Sequence, residues 1–150
     1  MLSMPSKNTP RKMKAEAAPT KQRRALMARV RQRGTAPELA VRRVLSKLRR
    51  TYKLNLKALP GSPDIVLLRS RTAIFVHGCF WHRHRQCVKS TTPKTRATFW
   101  KRKFAQNVER DRVKFALLKK MGWKAVIVWE CQTRDIDSLK ERIKRALSAP

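Results

Sequence analysis

The pattern of apolar and polar positions changes several times along the chain, and each change predicts a new element. Residues 1 to 21 contain almost no large apolar side chains, so we expect a disordered basic arm there. The basic stretch from Lys21 to Arg33 carries a few apolar residues and predicts a short helix. Thr35 and Glu38 form the sequence pattern of a capping box, which predicts the start of a longer helix. The apolar residues of that helix follow the spacing of one helical face: Val41, Val44, Leu45 and Leu48.

Three short apolar runs follow this helix and predict a strand meander. Tyr52, Leu54 and Leu56 alternate with polar residues, which indicates a strand with one buried face. After a Pro-Gly-Ser-Pro turn, Asp64 to Leu68 and Thr72 to Val76 predict two more strands. The residues between these two are too few for anything but a hairpin turn.

The second half of the chain predicts a long loop, two helices and one more strand. The segment from Gly78 to Thr98 lacks periodicity, and loops of this length are uncommon unless they are functional. A helix is expected from about residue 99 to 121, with Gly122 as its stop. The apolar run from Trp123 to Trp129 predicts a buried strand, and a last helix capped by Asp135 or Asp137 closes the chain.

The order of these elements predicts an α/β fold with a mixed β-sheet flanked by helices. With 150 residues, of which 41% are hydrophobic, the chain is long enough for one domain with one core. We therefore expect a single domain over residues 22–150, preceded by the arm at residues 1–21.

The charge balance indicates the class of partner. The chain has 38 Lys plus Arg and 9 Asp plus Glu, a net charge of +29, and nucleic acid is the usual partner of such a surface. No stretch approaches the roughly 18 apolar residues of a spanning helix, and no signal peptide is apparent, so we expect a cytoplasmic protein without a membrane partner. The three cysteines are then expected to be thiols or metal ligands.

Asp64 stands out because it is the only acidic residue between Leu39 and Val108. It heads a strand whose hairpin partner ends next to His77, so the two side chains can meet at one end of the sheet. Carboxylates and carbonyl oxygens are the ligands that Mg²⁺ prefers. The alternative is that Asp64 caps the turn before it or pairs with an arginine.

All three histidines and two of the three cysteines lie in the long loop. Cys79, His84, Cys87 and the distant Cys131 make up a ligand set of the structural zinc type. The alternatives are buried free cysteines and a chance cluster. His77 and His82 remain outside this set, and a histidine beside a carboxylate can transfer protons near neutral pH. They can equally bind phosphate or lie satisfied in the core.

Three aromatic residues lie in or beside the basic loop: Phe80, Trp81 and Trp100. Such rings can stack on bases or wedge between them. Ordinary core packing is the alternative for each ring.

Several of these segments, in the same order, resemble the very-short-patch repair (Vsr) family of mismatch endonucleases. The likeness covers about residues 24 to 135 and includes Thr35 to Glu38. The other segments that carry it are Pro60–Asp64, Ile74–His84, Phe99–Trp100, Asn107–Arg112 and Val128–Cys131. The His-Gly-Cys-Phe-Trp-His run that begins at His77 is its most specific part.

The resemblance implies a restriction-endonuclease-like fold with a structural zinc site. It also implies an enzyme, a phosphodiester hydrolase that nicks one DNA strand at the T·G mismatch left by deamination of 5-methylcytosine, with Mg²⁺ as cofactor. Double-stranded DNA containing a mismatch is the implied partner, and other mismatch-repair proteins are candidate partners of an expected monomer.

The resemblance also assigns roles by position. Asp64 and the backbone carbonyl of Val76 would hold Mg²⁺, Glu38 would contact the water shell of the metal, and His77 and His82 would have acid–base or phosphate-stabilising roles. Zinc would be held by Cys79, His84, Cys87 and Cys131. Phe80, Trp81, Trp100 and Met27 would contact the DNA beside the mismatch.

Two other functions are compatible with the charge and the cysteines. One is a zinc-stapled DNA-binding module without catalysis, and the other is a nuclease of the same fold with a different specificity. Only a nuclease explains Asp64, His77 and His82 together.

Overall fold

The computed structural model describes residues 20–30 and 33–149, and within them helices and strands follow the predicted order. The elements are α1 (Lys21–Ala28), α2 (Ala36–Lys47), β1 (Lys53–Leu54), β2 (Ile65–Leu67), β3 (Thr72–His77), α3 (Ala97–Lys120), β4 (Lys124–Trp129), a short 3₁₀ helix (Glu130–Thr133) and α4 (Ile136–Ser148). Residues 1–19 of the predicted disordered arm lie outside the described residues. In the described part of the chain, no helix is long and apolar enough to cross a membrane.

The chain divides into two units, and the first ends at Val30 and contains α1. The Oγ atom of Thr20 caps this helix by accepting a hydrogen bond from the Arg23 N–H at 3.3 Å. Every residue of α1 is exposed. The second unit contains all the other elements. The predicted bounds, an arm to residue 21 and a single domain over 22–150, stay a prediction.

The second unit is built on a four-stranded sheet of order β1-β2-β3-β4. β1, β2 and β3 pair antiparallel, with Ile65 opposite Ile74. β4 pairs parallel to β3, with Val76 beside Val128. Because parallel neighbours need a crossover, the chain leaves the sheet after β3 through the long loop and α3 before it returns as β4. The predicted α/β fold with a mixed sheet is confirmed.

Helices cover both faces of the sheet, and successive residues of a strand therefore bury against different layers. Ile65 and Leu67 pack on the face covered by α2 and α4, whereas Val66 between them packs on the α3 face. The larger core lies between the sheet and the α2–α4 layer. Its helical residues are at most 1% exposed: Val41, Val44 and Leu45 from α2, and Leu139 and Ile143 from α4. The helical stripe read from the sequence is the buried stripe.

The helix ends follow the predicted signals. Glu38 N donates to Thr35 Oγ1 at 3.5 Å, and the Glu38 carboxylate accepts in return from the Gly34 N–H at 2.8 Å, one residue before the position expected for a capping box. Gly122, at φ 74°, follows α3. Asp135, rather than Asp137, caps α4, because its carboxylate accepts the Asp137 and Ser138 N–H groups.

The first strand differs from its prediction. It spans two residues instead of five, and Leu54 is exposed. Tyr52 packs with the α2–α4 core and Leu56 with the α3 core, so these residues do not share a face. The physical reason is Asn55, whose φ of 47° lies in the left-handed region and breaks the two-residue alternation of a strand.

Candidate active site and metal centre

Asp64 lies directly before β2 and bonds across to β3. Its Oδ2 accepts the Val76 N–H at 2.7 Å. In an extended strand the N–H and C=O of one residue point to the same side, so the Val76 carbonyl also points toward the side on which Asp64 lies. A carboxylate and a backbone carbonyl thus meet at this end of the sheet. The alternative that Asp64 serves only to cap the preceding turn does not account for this bond.

Glu38, at the start of α2, supplies a second carboxylate in this region. It is buried, at 8% exposure, and accepts hydrogen bonds from the Gly34 N–H and from Thr35 Oγ1. Burial raises the pKa of Asp64, and the negative charge of Glu38 raises it further, while the Val76 hydrogen bond and His82 act in the opposite direction. A half-buried carboxylate whose pKa is raised by burial and by a neighbouring negative charge is a fitting environment for a cation.

His77, His82 and Asp111 form a compact cluster on the α3 side of the sheet. The imidazole rings of His77 and His82 stack with centroids 3.8 Å apart. The Nδ1 atom of His82 lies 2.5 Å from Oδ2 of Asp111, and that of His77 lies 4.0 Å from the same oxygen. His77 is 5% exposed, whereas the His82 side chain is 25% exposed. His82 is therefore the histidine of this pair that a substrate can reach.

The cluster favours defined charge states. Burial, followed by the neighbouring His82, lowers the pKa of His77 to about 4. Burial by itself would raise the pKa of Asp111, but the hydrogen bond with His82 and the nearby positive groups outweigh it and hold that pKa below its usual value. Asp111 is thus an ionised carboxylate beside a neutral His77 near neutral pH.

Ligand atoms of His77, His82 and Asp111 all lie within 4.8 Å of one another, so a metal ion is an alternative use of this cluster. Two ligands about 2.1 Å from one ion lie about 3 Å apart. The His82 and Asp111 atoms are closer than that, at 2.5 Å, which is short even for a charge-assisted N–H···O hydrogen bond of about 2.7 to 2.9 Å. A shared proton explains the pair better than a shared metal.

The sequence pattern alone does not assign Asp111 to the site. Its position on the apolar face of α3 predicts a buried carboxylate paired with an arginine or with a zinc-ligand histidine. The burial is confirmed, at 7% exposure. The partners are different: they are His82, which lies outside the proposed zinc set, and Lys114. His82 and Asp111 are 29 positions apart in the sequence, so no local pattern could identify the pair.

The four residues of the proposed zinc set come together as a second cluster, Cys79, His84, Cys87 and Cys131, with ligand atoms within 4.8 Å of one another. His84 Nδ1 lies 3.6 Å from Cys79 Sγ and 3.4 Å from Cys131 Sγ. Zinc bonds of about 2.3 Å to sulfur and 2.0 to 2.1 Å to nitrogen, at tetrahedral angles, place such atoms about 3.5 Å apart. The geometry of these three residues fits zinc.

The surroundings hold this cluster in place. Cys79 is fully buried directly after Gly78, and Cys131 lies in the 3₁₀ helix after β4. The His84 ring stacks on Trp129, with centroids 4.3 Å apart and planes within 11°. Lys89 Nζ pairs with Glu130 Oε1 at 2.5 Å and links the loop to the residue before Cys131. A loop with little core of its own is tied here to the end of the sheet.

The aromatic residues form a partly buried cluster. Phe80 contacts Trp81, Trp100 and Phe104 with ring centroids 5.0, 5.5 and 5.1 Å apart. The Asn107 side chain donates to the Trp81 carbonyl at 3.1 Å and fixes the loop against α3. Phe104 is buried, whereas Phe80, Trp81 and Trp100 are half-buried. Met27 lies in α1, in the other unit, and is 45% exposed.

Comparison with known proteins gives one consistent result. The family model described as DNA mismatch endonuclease Vsr matches residues 16–89. The Type II nicking enzyme V.XorIIP of Xanthomonas oryzae pv. oryzae is 42% identical over 125 residues, which are 83% of this chain and 91% of the relative. The Type II nicking enzyme V.NmeAIP of Neisseria meningitidis is 38% identical, over 84% of this chain and 89% of the relative. The DNA mismatch endonuclease Vsr of Escherichia coli is 40% identical, over 73% of this chain and 69% of the relative.

Proposed function

The chain belongs to the Vsr family of DNA mismatch endonucleases, and we propose that it nicks one DNA strand at T·G mismatches left by deamination of 5-methylcytosine, in a Mg²⁺-dependent hydrolysis. We further propose that the sheet and its flanking helices form a restriction-endonuclease-like fold. The observation that carries the proposal is the bond from the Val76 N–H to Asp64 at the sheet end, with the charges of Glu38 and His82 near enough to shift the pKa of Asp64.

Asp64 and the Val76 carbonyl would hold Mg²⁺, with Glu38 bound to the water shell of the metal. The direct hydrogen bonds of Glu38 to Gly34 and Thr35 fix its carboxylate, so it can orient a water at a distance. When bound, Mg²⁺ would position the attacking water and offset negative charge on the phosphate. The use of a backbone carbonyl from Val76 places no demand on its side chain, which packs into the α2–α4 core.

His82 would be the proton-transfer group. Its Nδ1 is engaged with Asp111, which leaves Nε2 as the atom that can exchange a proton with water or with the DNA. His77 would act mainly as a support, because it is buried and its ring stacks on His82. The phosphate-stabilising role that the resemblance implies for His77 stays part of the proposal.

The zinc cluster would support the active site, and the aromatic cluster would serve DNA recognition. Zinc held by Cys79, His84, Cys87 and Cys131 would fix the loop that carries His82, and hence the distance from His82 to Asp64. Phe80, Trp81 and Trp100 form one half-buried group, so we propose that the rings enter the DNA together beside the mismatch. Met27 would approach the same DNA from α1. Other repair proteins as partners and a monomeric state belong to the same proposal.

The membership of an endonuclease family argues against a zinc-stapled DNA-binding module without catalysis. A nuclease of this fold with another specificity is the remaining alternative.

The test is incubation of the purified protein with end-labelled duplexes that differ only at one base pair: T·G, A·T and G·C in varied flanking sequence. The proposal expects nicking of one strand of the T·G duplex with Mg²⁺ and none with EDTA. Equal nicking of matched duplexes would support the alternative and overturn the mismatch specificity.

A further inference from the structure

Lys114 contacts the His82–Asp111 pair from the opposite side. It lies on α3, one helical turn after Asp111, and its Nζ is 3.2 Å from Asp111 Oδ1. The other carboxylate oxygen, Oδ2, faces His82. Each oxygen of Asp111 therefore has its own partner. Because both oxygens are engaged, the carboxylate cannot rotate without losing one of the two contacts.

The stem of Lys114 is itself confined. Gly61, in the turn that leads into Asp64, lies so close that a Cβ atom there would be 2.6 Å from Cδ of Lys114 and 3.2 Å from Cε1 of Phe75. Gly61 also has a φ of 79°, which other residues rarely adopt. Because Gly61 has no side chain, the methylene stem of Lys114 can lie against the turn without a steric clash.

We propose that Lys114 is a positioning residue of the active site: it holds the Asp111 carboxylate in the orientation that pairs it with His82, and it joins this pair to the turn that carries Asp64. This inference rests on the proposed function of the site. An ordinary lysine–carboxylate pair three residues apart on a helix surface contributes little. Here Asp111 is 7% exposed and the stem of Lys114 lies against Gly61, so the carboxylate end of the pair is buried, although the lysine side chain is 31% exposed.

Loss of the Lys114 charge would leave Oδ1 of a buried carboxylate without its cation. Rotation of the carboxylate toward another donor would then move Oδ2 away from His82 Nδ1, and the imidazole would lose the contact that sets its orientation. A misplacement of a reacting group by about 1 Å can cost about 100-fold in rate. We expect a loss of about 10- to 100-fold, because His77 and the backbone still confine the His82 ring.

The test uses Lys114→Met, which keeps the length of the stem and removes the ammonium group. Lys119→Met, at an exposed position five residues further along α3, is the matched control for the loss of one positive charge. Lys114→Arg is the rescue variant, because a guanidinium group can reach the same carboxylate. Three quantities are measured: the single-turnover rate of nicking of a T·G duplex, the Kd for that duplex, and the proton NMR resonance of the His82 ring N–H, assigned by its loss in His82→Gln.

The proposal expects a 10- to 100-fold slower nicking rate in Lys114→Met, a Kd within about threefold of the wild type, and a shifted or broadened His82 resonance. Lys119→Met should leave all three unchanged, and Lys114→Arg should restore most of the rate. An unchanged rate or an unchanged resonance in Lys114→Met would overturn the proposal. If the wild-type protein does not nick the T·G duplex, the proposed function fails, and the resonance alone decides whether Lys114 positions the pair. If Lys114→Met does not fold, Lys114→Gln is measured in its place.

Discussion

The Nδ1 atom of His82 lies 2.5 Å from Oδ2 of Asp111, although the two residues are 29 positions apart in the sequence. His82 comes from the long loop after β3, and Asp111 comes from the middle of α3. An imidazole ring whose Nδ1 is bonded to an ionised carboxylate has a fixed orientation, and its Nε2 remains available to another group. This relationship connects the long loop after β3 to α3 behind the sheet, and it orients the histidine that we propose as the proton-transfer group.

Asp111→Asn tests the importance of the negative charge in this pair. The amide keeps the size of the carboxylate and can still accept a hydrogen bond, but it places no negative charge beside the His82 ring. We expect the nicking rate to fall by about 10- to 100-fold, which is less than the loss of about 10²- to 10⁴-fold expected for His82→Gln. Single-turnover kinetics at saturating protein measure both values. A larger loss in Asp111→Asn than in His82→Gln would contradict this order of roles.

His82 and His84 lie two residues apart and are expected to have different functions. His84 Nδ1 faces two cysteine sulfurs, whereas His82 Nδ1 faces Asp111. We therefore expect His84→Ala to release zinc and to lower the melting temperature. His82→Ala should retain zinc and fold normally but nick about 10²- to 10⁴-fold more slowly. Elemental analysis together with circular dichroism distinguishes the two. Loss of zinc in His82→Ala with zinc retained in His84→Ala would require the two assignments to be exchanged.

Cys131 is the proposed zinc ligand most distant in sequence from the others, and its replacement tests the structural role of the metal. Zinc at this place would join the loop after β3 to the segment after β4, and structural zinc sites can contribute about 10 kcal/mol or more. We expect one zinc per chain in the purified protein. Cys131→Ala should lose it and should unfold or be strongly destabilised. A well-folded wild-type protein without zinc would contradict the assignment.

The sequence was sufficient for those parts of the fold that depend on local patterns. The apolar stripe of α2, the stop at Gly122 and the zinc-type ligand set are each visible in residue types and spacing. The effect of Asn55 is not visible in this way, because the sequence does not distinguish an asparagine in the left-handed region from any other polar residue of an alternating strand. The left-handed conformation of Asn55 is the reason why β1 is short. Local pattern also could not show that Tyr52 and Leu56 bury against opposite layers.

The partners of Asp111 and Lys114 were beyond the reach of the sequence for a different reason. A buried acid on an apolar helix face must have a partner, but the identity of that partner depends on which strand end and which loop the helix face meets. Only the packing of α3 against the end of β3 brings His82 to Asp111. In the same way, the contact of Gly61 with Lys114 follows from tertiary packing and not from the Pro-Gly-Ser-Pro sequence of the turn.

The basic arm gives a prediction about DNA affinity. Residues 1–19 of this arm carry four lysine or arginine residues and one glutamate, and each DNA phosphate neutralised by the protein contributes about −0.9 to the slope of log affinity against log salt concentration. Deletion of these residues leaves Thr20, the cap of α1, in place. We expect the slope to become less steep while the preference for a T·G duplex over a matched one is retained. A slope identical to that of the full chain would show that the arm does not contact DNA phosphates.

The most direct measurement of the central claim is the nicking of a T·G duplex by Asp64→Asn in the presence of Mg²⁺, with the Kd for the same duplex measured in parallel. The asparagine retains an oxygen that can accept the Val76 N–H, so the fold should be preserved, but it removes the charge that would hold the metal. We predict no detectable nicking, with DNA binding that is unchanged or stronger because a negative charge facing the phosphates is lost. Nicking of the T·G duplex by Asp64→Asn at the wild-type rate would contradict the proposed active site.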